Sequence, residues 1–492
     1  MRVLAIDQGT SATKAVVVDV TADSLTVQSD VDVVVGGLRY DGDAVEVDAA
    51  NIWDSILEAG QRALTGLPKR SGPPVDCVGI GNQGETVLAW RRSTGDAVTP
   101  ALVWQDRRAV SVTDRLQASR ARIEQITGLP LDPYFAAAKM TWVRGHLLDE
   151  SQRDDPDVVV TTLDSWVLHR ATGAFVTDAA TASRTQLFDL DRTAWSDDAC
   201  TAFAVKPEQL PEIVPCDTSI GETGAFGGSV PVTGLVVDQQ AALFAQDCRT
   251  TGSSKCTYGT GAFLLANIGR TAHRSHNGLA ASVAWQTGGD RPDYCLDGQV
   301  YTVGAAVSWL QRIGLISGPT DLDDLASSVT DDGGVVFVPS LAGVGAPRWV
   351  PEARGSFSGL SLSTERAHLV RAVVQGIAAQ VTMLARAVED DLGAPLTALR
   401  VDGGLTRSSM LMQLQADLLG IPVEVYPYSC ATALGVAAFA ARGHAGVGTE
   451  LAITSGWTAR RVFEPTLSRA AAEEVYGRWL AALDASIAEA HA

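Results

Sequence analysis

A hairpin pattern occurs twice in the chain, and this repetition limits the folds that are open to it. Residues 3–19 read VLAIDQGTSATKAVVVD, which predicts a short apolar strand, an acidic residue, a Gly-Thr turn and a second Val-rich strand. Residues 255–269 read KCTYGTGAFLLANIG and have the same outline. The copies lie about 250 residues apart in a chain of 492, which indicates two related lobes and not a solenoid, whose repeats recur every 20 to 50 residues.

Strands alternate with amphipathic helices between and after these hairpins. Asp48 can cap a helix with Ile52 and Ile56 on its apolar face, and Thr364 can cap a long helix in the second half. The class is α/β and duplicated. We expect an N-terminal lobe at 1–244 that binds substrate and phosphate, and a C-terminal lobe at 245–492 that binds nucleotide.

Composition excludes several classes of function. The net charge of −19 argues against nucleic-acid binding, which needs clustered Lys and Arg. The seven cysteines include no C-x-x-C pair, so zinc and a disulfide framework are disfavoured. The N-terminus has no signal-peptide pattern, and no apolar run approaches the roughly 18 residues of a membrane span. We therefore expect a cytoplasmic enzyme that acts without nucleic acid or membrane.

Two glycine turns are candidate phosphate sites. In DQGTS, residues 7–11, Gly9 lets backbone N–H groups approach a phosphate, the hydroxyls of Thr10 and Ser11 can donate to it, and Asp7 can hold magnesium or its water. A plain turn is the alternative at this position. The second Gly-Thr turn, at 258–261, favours phosphate because two such turns can face one cleft.

Two further positions have both a chemical and a structural interpretation. Asp238 follows an apolar strand and can accept a proton from a substrate hydroxyl, or it can merely cap the helix that starts at Gln239. The VDGG turn at 401–404 can bring Gly404 close to a nucleotide, or it can simply connect a strand to a helix. Position alone does not decide either case.

The ordered motifs resemble those of the FGGY carbohydrate kinases, and within that family they look most like the glycerol kinases. The similarity runs from residue 3 to about 440. It is carried by these segments: DQGTS, GNQGETVLAW, WQDRR, LDPYFAAAKMTW, DQQAALFAQ, TYGTGAF, LAGVGAPRW, RGSFSGL and VDGGLTRSSMLMQLQADLLG. The first family signature fits less well, because Ala136 and Gly145 stand where the pattern asks for other residues.

The resemblance implies the two-lobed, ribonuclease H-like duplicated fold of the sugar kinase, chaperone ATPase and actin superfamily, with ATP and Mg²⁺ as cofactors. It implies Asp238 as general base and Asp7 at the metal. Nucleotide contacts would come from Thr10, Ser11, Lys14, Thr260, Gly304, Ser308, Gly404 and Ser408. The polyol or sugar would meet Glu85, Trp104, Tyr134, Asp238, Gln239 and Phe263, with Gly84 beside it. A homodimer is a further expectation.

One departure from the family bears on the substrate. Glycerol kinases have N-Q-R-E-T, in which the arginine grips two glycerol hydroxyls, whereas this chain has NQGET with Gly84. We expect the lost guanidinium to weaken glycerol binding and to leave room for a four- or five-carbon polyol. A genuine glycerol kinase with an altered pocket, rescued by another arginine from elsewhere in the chain, is the alternative.

Milder departures concern the nucleotide. Lys14 replaces a family arginine near the phosphates, and Ser308 and Ser408 replace Gln and Asn near the adenine. Two rival classes stay open, an ATP-driven chaperone-like protein and a regulatory protein without chemistry. The retained Asp7 and Asp238, and the polyol-binding set around Glu85 and Tyr134, favour the kinase over both.

Overall fold

The computed structural model describes residues 1–22, 24–68, 70–446 and 456–491. A large mixed sheet in the first half of the chain has strand order β14-β15-β6-β1-β2-β3. Its strands are β1 Arg2–Gln8, β2 Ala12–Val20, β3 Leu25–Val34, β6 Cys77–Asn82, β14 Gly221–Thr223 and β15 Val230–Val237.

The second half contains the counterpart of this sheet, with strand order β18-β19-β17-β16-β22-β23-β24. Its strands are β16 Ser254–Tyr258, β17 Ala262–Gly269, β18 Ala280–Trp285, β19 Asp293–Val300, β22 Leu399–Asp402, β23 Val423–Val425 and β24 Arg461–Phe463.

The two predicted hairpins occupy equivalent places in these sheets. The β1–β2 hairpin is antiparallel, and β1 pairs in parallel with β6 on its other side. The β16–β17 hairpin is also antiparallel, and β16 pairs in parallel with β22. The predicted duplication in an α/β fold is therefore confirmed, with a Gly-Thr turn at the end of each hairpin.

Smaller sheets and the helices surround these two. A sheet of order β4-β5-β8-β7-β9 comprises β4 Arg39–Asp41, β5 Ala44–Val47, β7 Val87–Arg91, β8 Ala101–Leu102 and β9 Val158–Thr162. Two-stranded pairs are β10 Val176–Asp178 with β13 Glu212–Val214, β11 Phe188–Asp189 with β12 Ala194–Trp195, and β20 Val336–Val338 with β21 Ser356–Ser358.

The helices of the first half are α1 Ala49–Leu64, α2 Val110–Arg115, α3 Arg120–Thr127, α4 Ala136–His146, α5 Glu150–Asp154, α6 Leu163–Thr172, α7 Ala179–Ser183, α8 Asp197–Ala202 and α9 Asp238–Ala245. Those of the second half are α10 Gly304–Arg312, α11 Asp321–Ser327, α12 Arg366–Leu392, α13 Ser409–Leu419, α14 Ala431–Ala445 and α15 Arg469–Ala490. Short 3₁₀ turns lie at Gln117–Ser119, Pro207–Gln209 and Gly404–Arg407.

Helix starts follow the expected capping chemistry in one case and not in another. Asp48 caps α1 and accepts from the N–H of Ala50 at 2.9 Å, as predicted. The prediction that Thr364 caps α12 is wrong, because Glu365 is the N-cap and forms a reciprocal capping box with His368.

Helix α12 is the central helix of the second half. By length and composition it could cross a membrane, but 78% of its most apolar window is buried inside the protein, as expected for a core helix. Helix α14 packs closely on α9, since a Cβ on Gly435 would lie 1.9 Å from the carbonyl oxygen of Ala241. This contact joins a helix of the second half to the helix that begins with Asp238.

Candidate active site

A cavity of about 290 Å³ is lined by residues from both halves of the chain. It brings together all seven positions expected to contact substrate, namely Gly84, Glu85, Trp104, Tyr134, Asp238, Gln239 and Phe263. The same cavity reaches three of the residues expected to contact nucleotide: Thr10, Ser11 and Thr260. Substrate and phosphate candidates therefore face one continuous space.

Aromatic rings form the apolar wall of this cavity. The Trp104 ring meets Tyr134 edge-on at 5.7 Å between centroids and Phe263 at 6.0 Å. Trp104 is held in place because its indole N–H donates to the Thr10 hydroxyl at 2.9 Å, and that hydroxyl donates in turn to Gln83 at 3.1 Å. The first Gly-Thr turn thus also positions the substrate wall.

Tyr134 lies in a loop that a buried lysine organises. The ammonium of Lys139, fully buried in α4, donates to the carbonyl oxygens of Pro133, Tyr134 and Phe135. Burial lowers the pKa of Lys139 to about 8. Sequence reasoning missed this residue, because a lysine in a helix gives no local sign that it binds the preceding loop.

Asp238 is the first residue of α9 and follows β15 directly. The capping interpretation is wrong, because the N-cap is Val237 and the Asp238 carboxylate accepts from the adjacent N–H of Gln239 at 2.7 Å. Burial, and next the nearby Glu85, raise the pKa of Asp238 to about 6, while Lys255 opposes the rise. Such a carboxyl is largely ionised at neutral pH yet a better proton acceptor than an exposed aspartate.

Gln239 is oriented by Lys255, a fully buried lysine on β16. The Lys255 ammonium donates to Gln239 Oε1 at 2.5 Å and to the Thr257 hydroxyl at 2.9 Å. With its carbonyl oxygen held, the Gln239 side chain offers its NH₂ group as a donor. Lys255 was also missed, although it stands inside the second hairpin motif.

The second Gly-Thr turn packs on the start of α10. The N–H of Gly304 donates to Gly259 O at 3.1 Å, and a Cβ on Gly304 would lie 2.6 Å from that same oxygen. Gly304 thus supports the turn from behind. Thr260, at the tip, is exposed and lines the cavity.

The two glycines of VDGG have different surroundings. Gly403 has φ +96°, and a Cβ there would lie 2.4 Å from Tyr258 O, so the turn itself requires glycine. Gly404 has open space around its Cβ position. The structural interpretation therefore holds for Gly403, and Gly404 stays a predicted nucleotide contact.

Besides Gly304 and Gly404, four predicted nucleotide or metal residues do not line the cavity formed by the described residues: Asp7, Lys14, Ser308 and Ser408. The Lys14 ammonium pairs with Asp30 and Asp32, each at 2.9 Å, instead of standing free. Ser408 caps α13, and its hydroxyl donates to Asp323. Ser308 is exposed on α10.

The chemistry of Asp7 suits a magnesium ligand. Burial, and next the carboxylate of Asp238, raise its pKa to about 7, so a cation beside it would relieve both effects. Among the described residues no group of three or more His, Cys, Asp or Glu could hold a metal alone. Mg²⁺ commonly uses one or two carboxylates together with substrate phosphates and water.

Two side chains pack directly against Gly84. A Cβ on Gly84 would lie 2.8 Å from Val237 Cγ2 and 3.5 Å from Arg184 Cγ, so a β-carbon there would press on Val237 and touch the Arg184 stem. Arg184 follows α7, is 4% exposed and lines the cavity. It donates from Nε to Glu85 at 2.7 Å and from Nη1 to Asp297 at 2.5 Å.

The chain matches the FGGY family of carbohydrate kinases, N-terminal domain, over residues 2–245 and the C-terminal domain over residues 254–444. A glycerol kinase of Myxococcus xanthus (strain DK1622) is 40% identical over 501 residues, covering 98% of each chain. One of Thermus brockianus is 38% identical over 496 residues, covering 98% of this chain and 97% of that one.

Solved structures agree on the fold. Plasmodium falciparum glycerol kinase with ADP superposes with TM-score 0.88 at 30% identity, covering 99% of this chain and 98% of that one. Xylulose kinase from Rhodospirillum rubrum has TM-score 0.85 at 22% identity with full coverage of both chains, which concerns the fold alone. The chain belongs to the FGGY family of carbohydrate kinases and is an ATP-dependent sugar or polyol kinase.

Proposed function

We propose that the protein transfers the γ-phosphoryl group of ATP to a hydroxyl of a small, neutral polyol, with glycerol as the first candidate. The observation that carries the proposal is the single cavity in which Asp238, Glu85, Tyr134 and Gln239 face the Gly-Thr turn of Thr260. Hydrogen-bonding groups together with the rings of Trp104 and Phe263 suit a molecule with hydroxyls and C–H faces.

Asp238 is the proposed general base. When bound, Mg²⁺-ATP supplies the phosphoryl group and neutralises the charge that develops on it. The substrate oxygen forms the new O–P bond, the bond between the γ-phosphorus and the bridging oxygen breaks, and the hydroxyl proton passes to Asp238. A pKa of about 6 keeps Asp238 ready to accept that proton at physiological pH.

The charge of the cavity favours a neutral substrate. The carboxylates of Glu85, Asp238 and Asp297 line it together with the guanidinium of Arg184, which already pairs with two of them. A sugar acid would add a negative charge beside this acidic set, at a cost that a neutral polyol does not bear. Gluconate is thus a suitable negative control.

Glycerol replaces the larger polyol that Gly84 led us to expect. The relatives' names do not support a four- or five-carbon substrate. Two features near Gly84 bear on this choice: Val237 packs against the glycine, and Arg184 brings a guanidinium to the same cavity from another element.

The test is ATP-dependent ADP release with glycerol, erythritol, xylitol, xylulose and gluconate. We expect glycerol to give the highest kcat/KM and gluconate to give none. Preference for any other compound contradicts the choice of glycerol. ADP release that does not depend on any added polyol or sugar would contradict the kinase mechanism and would favour a chaperone-like ATPase instead.

A cytoplasmic location and a homodimeric state are carried forward as predictions. The dimer is expected from the family resemblance. Light scattering of the purified protein across a concentration series measures the second directly, and a monomer at all concentrations contradicts it.

A further inference from the structure

We propose that Arg184 is a substrate-binding, specificity-determining residue, whose guanidinium donates to the polyol on the side of the pocket where residue 84 has no side chain. The inference rests on the proposed function, since it assigns a role in binding the same substrate. It adds a residue from a different part of the chain, the end of α7, to the set around Glu85 and Tyr134.

The aliphatic stem of Arg184 packs against Gly84. Its Cγ lies 3.5 Å and its Cβ 3.8 Å from the place of a Cβ on Gly84, so its aliphatic stem lies along the glycine. A β-carbon at 84 would press on Val237 but make only ordinary van der Waals contact with this stem. Arg184 thus packs beside Gly84 and lines the same cavity.

The guanidinium is fixed from both halves of the chain. Nε donates to Glu85, which follows β6, and Nη1 donates to Asp297 on β19. The group also stands 5.2 Å from the centre of the Phe135 ring, within the range of a cation–π contact. Three contacts from different elements hold the planar group in one orientation before substrate binds.

This arrangement leaves part of the guanidinium free for a ligand. Arginine carries five N–H donors, and the described residues accept one hydrogen bond from Nε and one from Nη1 and none from Nη2. Arg184 lines the cavity, so a polyol there meets an N–H donor next to the Glu85 carboxylate. A donor beside an acceptor suits a hydroxyl, which can accept from the first and donate to the second.

Hydroxyl recognition of this kind discriminates against deoxy analogues. When a substrate lacks the hydroxyl, the buried charged groups keep their desolvation cost and lose a partner. The discrimination between glycerol and 1,2-propanediol should therefore depend on Arg184. A purely structural role for the Glu85–Arg184–Asp297 set would lower stability without changing that ratio.

The experiment compares wild type with Arg184→Lys, which keeps the charge and loses the fork, and Arg184→Gln. Arg478→Gln is the matched control, because Arg478 pairs with Asp332 far along the chain and does not line the cavity. For both Arg184 variants we expect the KM of the polyol to rise by about 10- to 100-fold and that of ATP to stay within about threefold.

The ratio of kcat/KM for glycerol over 1,2-propanediol should fall by about tenfold in Arg184→Lys. A further variant moves the guanidinium: Gly84→Arg with Val237→Gly, in the Arg184→Gln background, should recover part of the lost polyol affinity. Val237→Gly is included because Val237 occupies the space that a side chain at 84 needs.

Failure of the inference and failure of the proposed function give different results. If wild type phosphorylates no polyol or sugar, the proposed function fails and the inference with it. If wild type accepts a substrate, and Arg184→Lys keeps both its KM and its discrimination against the deoxy analogue, the inference alone is overturned. Where the accepted substrate is not glycerol, its own deoxy analogue replaces 1,2-propanediol.

Discussion

Replacing Lys255 with methionine tests the electrostatics of the active site. Lys255 is fully buried, holds the Gln239 side chain at 2.5 Å and opposes the rise in the pKa of Asp238. Methionine has a similar length and no charge, so Lys255→Met removes the positive charge with little change in volume. The pKa of Asp238 should then rise above its present value of about 6.

The size of the effect depends on pH. Loss of the Lys255 charge should raise the pKa of Asp238 above about 6. For a rise of about one unit, the ionised fraction at about pH 6.5 would fall from roughly three-quarters to roughly one-quarter, a loss of about threefold. At about pH 9 the carboxylate is ionised in both proteins, and only the loss of Gln239 orientation contributes.

The assay is kcat/KM for the polyol from about pH 5 to about pH 9, which reports the free enzyme's base. Lys206→Met, at an exposed lysine outside the cavity, is the control. We expect the acid limb of the Lys255→Met profile to move to higher pH and the control profile to match wild type. An acid limb that stays in place, with the same loss at every pH, would refute the electrostatic reasoning.

Two further substitutions test local packing. Gly84→Ala places a Cβ 2.8 Å from Val237 Cγ2, so it should lower the free energy of unfolding by about 1–3 kcal/mol, as measured by thermal unfolding. Adding Val237→Ala should restore part of this loss. A Gly84→Ala protein as stable as wild type would contradict the close contact between Gly84 and Val237. Lys139→Met removes the cation that gathers three loop carbonyls, so the polyol KM should rise about tenfold while the ATP KM is unchanged. An unaltered polyol KM would show that the loop positions Tyr134 without Lys139.

The repeated hairpins were predictable because their signal is local. A strand, a Gly-Thr turn and a second strand lie within some fifteen to twenty residues, and each half of the chain carries one copy. Their pairing then places Thr10 and Thr260 at the tips of equivalent turns, which the structure brings to one cavity. The motif residues Glu85, Trp104, Tyr134 and Asp238 meet there as well.

The interpretation of Gly84 needed tertiary structure. The sequence shows that a side chain is absent at 84, but it does not show what fills the space. Val237 lies more than 150 residues away and Arg184 about 100, and both reach Gly84 only through the packing of β15 and the end of α7. A family arginine can therefore be absent at one position while a guanidinium from another element lies beside it.

The sequence also does not show which partners a polar side chain binds in the folded protein. The motif predicts that Lys14 contacts phosphate, yet in the structure its ammonium pairs with Asp30 and Asp32 on the neighbouring strand β3. The hydroxyl of Ser408 likewise serves a helix cap. Such pairings depend on which strands and helices become neighbours, so a motif identifies the position and leaves the partner of the side chain open.

The most direct test of the account is Asp238→Asn. Asparagine keeps an oxygen that can accept from the Gln239 N–H, now at 2.7 Å from Asp238, but it cannot take a proton from the substrate. With saturating ATP and polyol, we predict that polyol-dependent ADP release is abolished while calorimetry finds nucleotide binding close to wild type. Retention of more than about a few per cent of the activity would contradict the assignment of Asp238 as the base.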